Sequence, residues 1–181
     1  MAKNKKVKKD KPIPKELYHY TSLYHLDTIL ENGYLKLTPS NLREPKNPRI
    51  ENGVIVSDTD HIKPVVWLTS TRYSDKTADM TGLSNSAVDK TEVCFVINNV
   101  SNCKHWKTWA FDLNIELGWF KLITDGYDYK NWYISEKTIP IKDTTIIFKH
   151  TIPEETVNHY REKLNALGIT IIKWNEKPEE D

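Results

Sequence analysis

Glycine is scarce in this chain, with six in 181 residues, and none of them builds a G-x-G-x-x-G or P-loop pattern. The two loops that cradle phosphates with backbone N–H groups are therefore excluded, and any nucleotide would have to be gripped by side chains and sheet faces. Cysteine is scarcer still. Cys94 and Cys103 stand alone, too few for a disulfide framework, and Cys94 lies in the apolar run VCFVI, where a small buried hydrophobe is the ordinary reading. Cys94, Cys103 and His105 match no ligand spacing with known mechanics, so no metal is expected. No apolar run approaches the ~18–20 residues of a membrane span, and the lysine-rich start lacks the apolar centre of a signal peptide. A cytoplasmic monomer without a membrane partner is the expectation. There are no internal repeats.

What is present describes a folded protein. Hydrophobic residues make up 38% of the chain, with six tryptophans and nine tyrosines, which excludes disorder, and the 28% charged fraction supplies a well-solvated surface. A chain of 181 residues favours one domain, since cores of ~100–200 residues usually stay undivided. The net charge of +1 hides an asymmetry: residues 1–15 carry seven lysines against Asp10, a net +6, and leave −5 for the remainder. Such a run has too little apolar surface to pack and reads as a flexible basic arm, stiffened by KPIP at its junction with a domain over 16–175. The arm is either a solvated tail or a sequence-independent tether to nucleic acid through counterion release. Residues 176–181 read as an acidic tail.

Apolar spacing places a short helix over 22–33, with Leu23, Leu26, Ile29 and Leu30 on one face, Thr21 or Ser22 as cap and Gly33 as stop. YLKLT then reads as a strand, as do VVWLTS (65–70), EVCFVI (92–97), WYISEKTIPI (132–141), TTIIFKH (144–150) and ITIIKW (169–174). The stretch from Pro39 to about Pro64 is long for a structureless loop and is a candidate binding or lid segment. Residues 153–167 form the clearest helix, with Pro153 in its first turn, Val157, Tyr160, Leu164 and Leu167 on one face, and Gly168 behind it. Helix, several strands, helix and strand in that order imply an α+β domain with a mainly antiparallel sheet.

Three segments embed a polar or ionisable group in a strand-like, apolar stretch: YHYTS (18–22), VVWLTS and WYISEKTIPI. One at a time they are unremarkable: a strand histidine is usually satisfied core, a glutamate is usually solvated, and a tryptophan is usually core. A carboxylate in a β-type segment nevertheless needs a partner or a task. In this order they resemble the ADP-ribosyltransferase superfamily, in its DarT-like and RNA 2′-phosphotransferase-like branches. The first family motif, a histidine near a strand end followed by a hydroxyl and a short helix, is matched by YHYTSLYHLDTILENGYLKL. The second, an aromatic on a strand, is matched by Trp67, and the third, a strand glutamate, by Glu136. The likeness spans residues 17 to 148.

The resemblance implies a split antiparallel sheet with short flanking helices, NAD as co-substrate, and transfer of ADP-ribose to a macromolecule, nucleic acid or protein, with loss of nicotinamide. Glu136 would stabilise the oxocarbenium-like ribose, as carboxylates do in glycosidases. His19 would bond the adenosine ribose and Tyr20 would lie beside the nicotinamide amide. Thr21 or Ser22 would bond the second ribose or simply cap the helix. Trp67 or Tyr73 could stack on the nicotinamide ring. Arg43, Arg49 or Arg72 could pair with the pyrophosphate, the first two ranking ahead. Ile134 stands where enzymes that modify protein arginine carry a glutamate or glutamine, so that target is not expected. Two alternatives stand beside the transferase: a phosphotransferase that uses NAD to remove an RNA 2′-phosphate, disfavoured by a net acidic domain, and a non-catalytic binding module.

Overall fold

The computed structural model describes residues 12–38, 63–72, 88–113 and 129–174, and the backbone alone of 49–51 and 54–56. Among them a seven-stranded sheet is formed by β1 (Leu17–Thr21), β5 (Val66–Thr69), β6 (Val93–Ile97), β7 (Cys103–His105), β8 (Trp132–Ser135), β10 (Thr145–Phe148) and β11 (Thr170–Lys173). Two-residue strands β2 (Tyr34–Leu35) and β9 (Ile139–Pro140) pair with each other, as do β3 (Arg49–Glu51) and β4 (Val54–Val56). The helices are α1 (Leu23–Asn32), α2 (Trp106–Asp112) and α3 (Glu154–Ala166).

The order across the large sheet is β11-β10-β6-β1-β5-β8-β7. Every neighbour pair is antiparallel except β10 with β11, which are parallel and joined through α3. The fold is α+β, as the element order implies, with one β-α-β crossover at its edge. All five residues of β6 are buried, as expected of a strand covered on both faces. Its odd positions Val93, Phe95 and Ile97 join Leu17, Leu26, Leu30, Ile146, Val157, Tyr160 and Leu164 in the main core under α1 and α3. Its even positions Cys94 and Val96 meet Tyr18, Ile147 and Trp174 on the opposite face.

The first helix ends as its sequence implies. Gly33 adopts φ 72°, in the left-handed region that favours glycine, and returns its N–H to the Ile29 carbonyl. Its start differs from expectation. Ser22 is the N-cap residue but its side chain makes no capping bond, and the Glu92 carboxylate accepts the Leu23 N–H at 2.9 Å instead. An acid from the head of β6 thus ties the helix dipole to the sheet. Pro153 likewise sits at the N-cap rather than inside the first turn of α3, followed by Glu154 and Glu155, with Lys163 near the helix end.

The long strand expected over 132–141 is broken. β8 ends at Ser135, whose hydroxyl donates to the Lys137 carbonyl at 2.7 Å and accepts the Lys137 N–H at 3.1 Å. This local ring turns the chain, since serine offers the backbone partners that the ladder would otherwise supply. Ile139 and Pro140 then pair with β2. Glu136 therefore lies in the bend just past β8, not on a strand. β7 and α2 were not legible as elements. The helix packs Trp106, Trp109 and Ala110 inward, and His105 caps it by accepting the Lys107 N–H, a histidine in the position usually held by Ser or Asp.

Candidate active site

The two halves of the sheet meet at β1 and β5, and they share one register pair, Tyr18 with Thr69. An antiparallel ladder continued by two residues would set Tyr20 opposite Trp67. Instead the His19 ring reaches across, with Nδ1 2.9 Å from the Trp67 carbonyl oxygen. A carbonyl only accepts, so Nδ1 carries the proton and Nε2 presents a lone pair. No described residue bonds that nitrogen. Burial pushes the His19 pKa below its usual value, with the bond to Trp67 opposing in part. The imidazole is thus neutral near pH 7, locked in one tautomer at the point where the sheet opens, and able to accept a hydroxyl proton there.

Trp67 is half-buried and stands between two other rings, edge-on to Trp109 at 6.2 Å and to Trp132 at 5.6 Å. Val65, Trp106, Ala110 and Ile134 complete this cluster. Ordinary packing alone would account for its position. Register carries the geometry onward: Trp67 pairs with Ile134, and Ile134 pairs with Lys104 on β7. Glu136 lies in the bend two residues beyond Ile134, and its contact with Lys104 brings it to this part of the sheet. Its carboxylate lies 2.9 Å from Lys104 Nζ. The buried Trp109 indole N–H has no hydrogen-bond partner among the described residues, yet it favours the ionised form of Glu136. Lys104 is the largest cause holding the Glu136 pKa below the ordinary glutamate value; Trp109 and Lys63 add to it, and partial burial opposes. An acid held ionised in this way is suited to stabilising positive charge and unsuited to donating a proton.

The other expected site residues fall as follows. Thr21 and Ser22 are both buried, and the Ser22 hydroxyl has no exposure and no hydrogen-bond partner, an uncommon state for a buried polar atom. Tyr20 is half-buried, edge-on to Trp174 at 6.5 Å, and opposite Cys94 in the β1–β6 register, whose thiol pKa burial pushes up to about 12. Arg72 Nη2 donates to the carbonyls of Trp174 at 2.8 Å and Lys173 at 3.3 Å, so that nitrogen is committed to the end of β11. Arg49 opposes Val56 in the β3–β4 pair, and its side chain lies outside the described residues, as do Arg43 and Tyr73. Among the described residues no group of three or more His, Cys, Asp or Glu could hold a metal, and no helix is long and apolar enough to cross a membrane.

Sequence reasoning missed Lys104, Trp109 and Glu92. The signal for the first two was available in CKHWKTWA, where alternation passes into an i, i+3, i+4 apolar spacing after His105. Nothing local marks Glu92, because its role depends on a helix far from it in sequence.

Comparison with known proteins places this geometry beside solved structures. No family model and no curated relative matches the chain. Thermus sp. 2.9 DarT in complex with NAD+ is similar over 91% of this chain and 99% of its own, at 13% identity and a TM-score of 0.47. The same protein in complex with ADP-ribosylated ssDNA is similar over 93% of this chain and 100% of its own, at 13% identity and a TM-score of 0.43.

Proposed function

We propose that this chain is an NAD-dependent ADP-ribosyltransferase that moves ADP-ribose from NAD to a macromolecular acceptor, nucleic acid or protein. One observation carries the reading: His19, the residue of the first motif, bridges the opening of the sheet with Nδ1 on the Trp67 carbonyl, leaving Nε2 as a fixed acceptor. Trp67 belongs to the second motif, and its strand is in register with the one that delivers Glu136, the residue of the third.

The residues suit the chemistry. A ribose hydroxyl donating to His19 Nε2 would be held without a charge change, because the imidazole is neutral. The Ser22 hydroxyl is unpartnered but fully buried, so it is closed to a second ribose in this conformation. Breaking the ribose–nicotinamide bond sends the electron pair out with nicotinamide and leaves positive charge on the sugar. Glu136, already ionised, answers that charge and is worth most in the transition state, where it is largest. The acceptor's lone pair then forms the new bond to the anomeric carbon, and its proton leaves to solvent.

A second reading, a nucleotide-binding module without turnover, is favoured by the ion pair that already occupies Glu136. Incubation with NAD separates the two. Release of nicotinamide or labelling of an acceptor supports transfer, binding without loss of NAD supports the module, and neither binding nor release removes both.

A further inference from the structure

Glu136 stands in a bend rather than on a strand, yet three other elements converge on it. β7 supplies Lys104 at 2.9 Å, and Trp109 of α2 and Lys63 of the segment ahead of β5 both favour its ionised form. The bend itself is fixed by the Ser135–Lys137 ring, so the backbone is set while the carboxylate direction is left to its partners. A cation beside a carboxylate that must answer a developing positive charge looks counterproductive. Its use is orientation, since a long glutamate side chain with 32% exposure has several rotamers open to it unless something selects one.

We infer that Lys104 is a positioning residue for the transfer reaction, aiming the Glu136 carboxylate along the face of the sheet beside Trp67. The inference rests on the transferase reading given above. Lys104 is well placed for it: Ile134 pairs with Lys104 in the β7–β8 register, and Trp67 pairs with Ile134 in the β5–β8 register, so the Lys104 backbone is fixed in line with both residues. With a side chain 38% exposed, Lys104 carries little of the core, and its loss need not unfold the chain.

Lys104→Met and Lys104→Gln, checked for folding by thermal melting, are compared with wild type in two measurements: the pH profile of nicotinamide release, and a carbon NMR titration of labelled glutamate in which Glu136→Gln assigns the signal. The expected result is a fall of about tenfold to a hundredfold in kcat with KM for NAD little changed. The Glu136 titration should move to higher pH, because the main group favouring its ionised form is gone, and the acid limb of the rate should follow it. Lys104→Arg should restore both. Folded variants with unchanged kcat and unchanged titration overturn the inference. A loss of rate that Arg does not rescue, with the titration unmoved, also overturns it and makes Lys104 a merely structural group. A wild-type protein that shows no turnover overturns the transferase reading instead, and the titration then reports separately whether Lys104 controls the charge on Glu136.

Discussion

The two halves of the sheet share one core on the α1 and α3 side but differ on the other face. Over β11, β10, β6 and β1 that face holds Tyr18, Cys94, Val96, Ile147 and Trp174, a small apolar patch whose charged neighbours are at its rim, Glu16 accepting from the Tyr18 hydroxyl and Arg72 donating to the Trp174 carbonyl. Over β5, β8 and β7 it holds Trp67, Trp106, Trp109 and Trp132, four of the six tryptophans in the chain, with the Glu136–Lys104 pair beside them. The first half satisfies the fold and asks nothing of its surroundings. The second adds a part-exposed carboxylate paired with a lysine. Stiffness on one side and a paired charge on the other are what a site needs when geometry must survive the arrival of a charged substrate.

That contrast can be broken at its strongest point first. Phe95→Ala empties a fully buried position on β6 directly opposite His19 in register. It should cost about 3–5 kcal/mol by the transfer and cavity terms, read by chemical denaturation, and should destabilise without singling out any catalytic step. A cost below about 1 kcal/mol would mean that this half does not carry the stability.

The junction is the next test. His19→Ala leaves the Trp67 carbonyl without its donor at the opening of the sheet and should cost roughly 1–3 kcal/mol, together with weaker NAD binding by calorimetry. The pH dependence has a definite sign. Burial lowers the folded-state pKa of His19 below its unfolded value, so the stability from keeping it neutral is present above about pH 6.5. It is lost as the pH falls, because the unfolded chain takes up the proton first. The variant should show a flatter decline over that range, and an unaltered decline would assign the effect to other groups.

The smallest effect is expected from the chain's beginning. Deleting residues 1–11, which carry six lysines and Asp10 beside four uncharged residues, should leave the melting temperature unchanged, because the segment has too little apolar surface to repay its ordering. If the segment contacts nucleic acid, the deletion should weaken binding and flatten its salt dependence. No change in either leaves it a solubility tail.

Much of this was legible from residue patterns, and the exceptions have causes. The buried strands read true because VCFVI and VVWLT are apolar on both faces. α1 and α3 read true because glycine and apolar spacing mark them. The sequence places Glu136 on a strand and the structure puts it in a bend, since the bend depends on what one serine hydroxyl bonds. Lys104, Trp109 and Glu92 escaped because each acts across a long gap in sequence, through register or packing that no local pattern encodes. The resemblance pointed to His19, while its tautomer and its bridging of the two halves came only from the Trp67 carbonyl beside it.

The central claim is that Glu136 works on charge and not on folding. Nicotinamide release, NAD affinity and thermal melting, measured side by side on wild type and Glu136→Gln, test it most directly. The account predicts a fall of ~10²–10³ in turnover, as for loss of one preorganised electrostatic partner, with affinity and melting nearly unchanged. Unchanged turnover in a folded Glu136→Gln protein would contradict it.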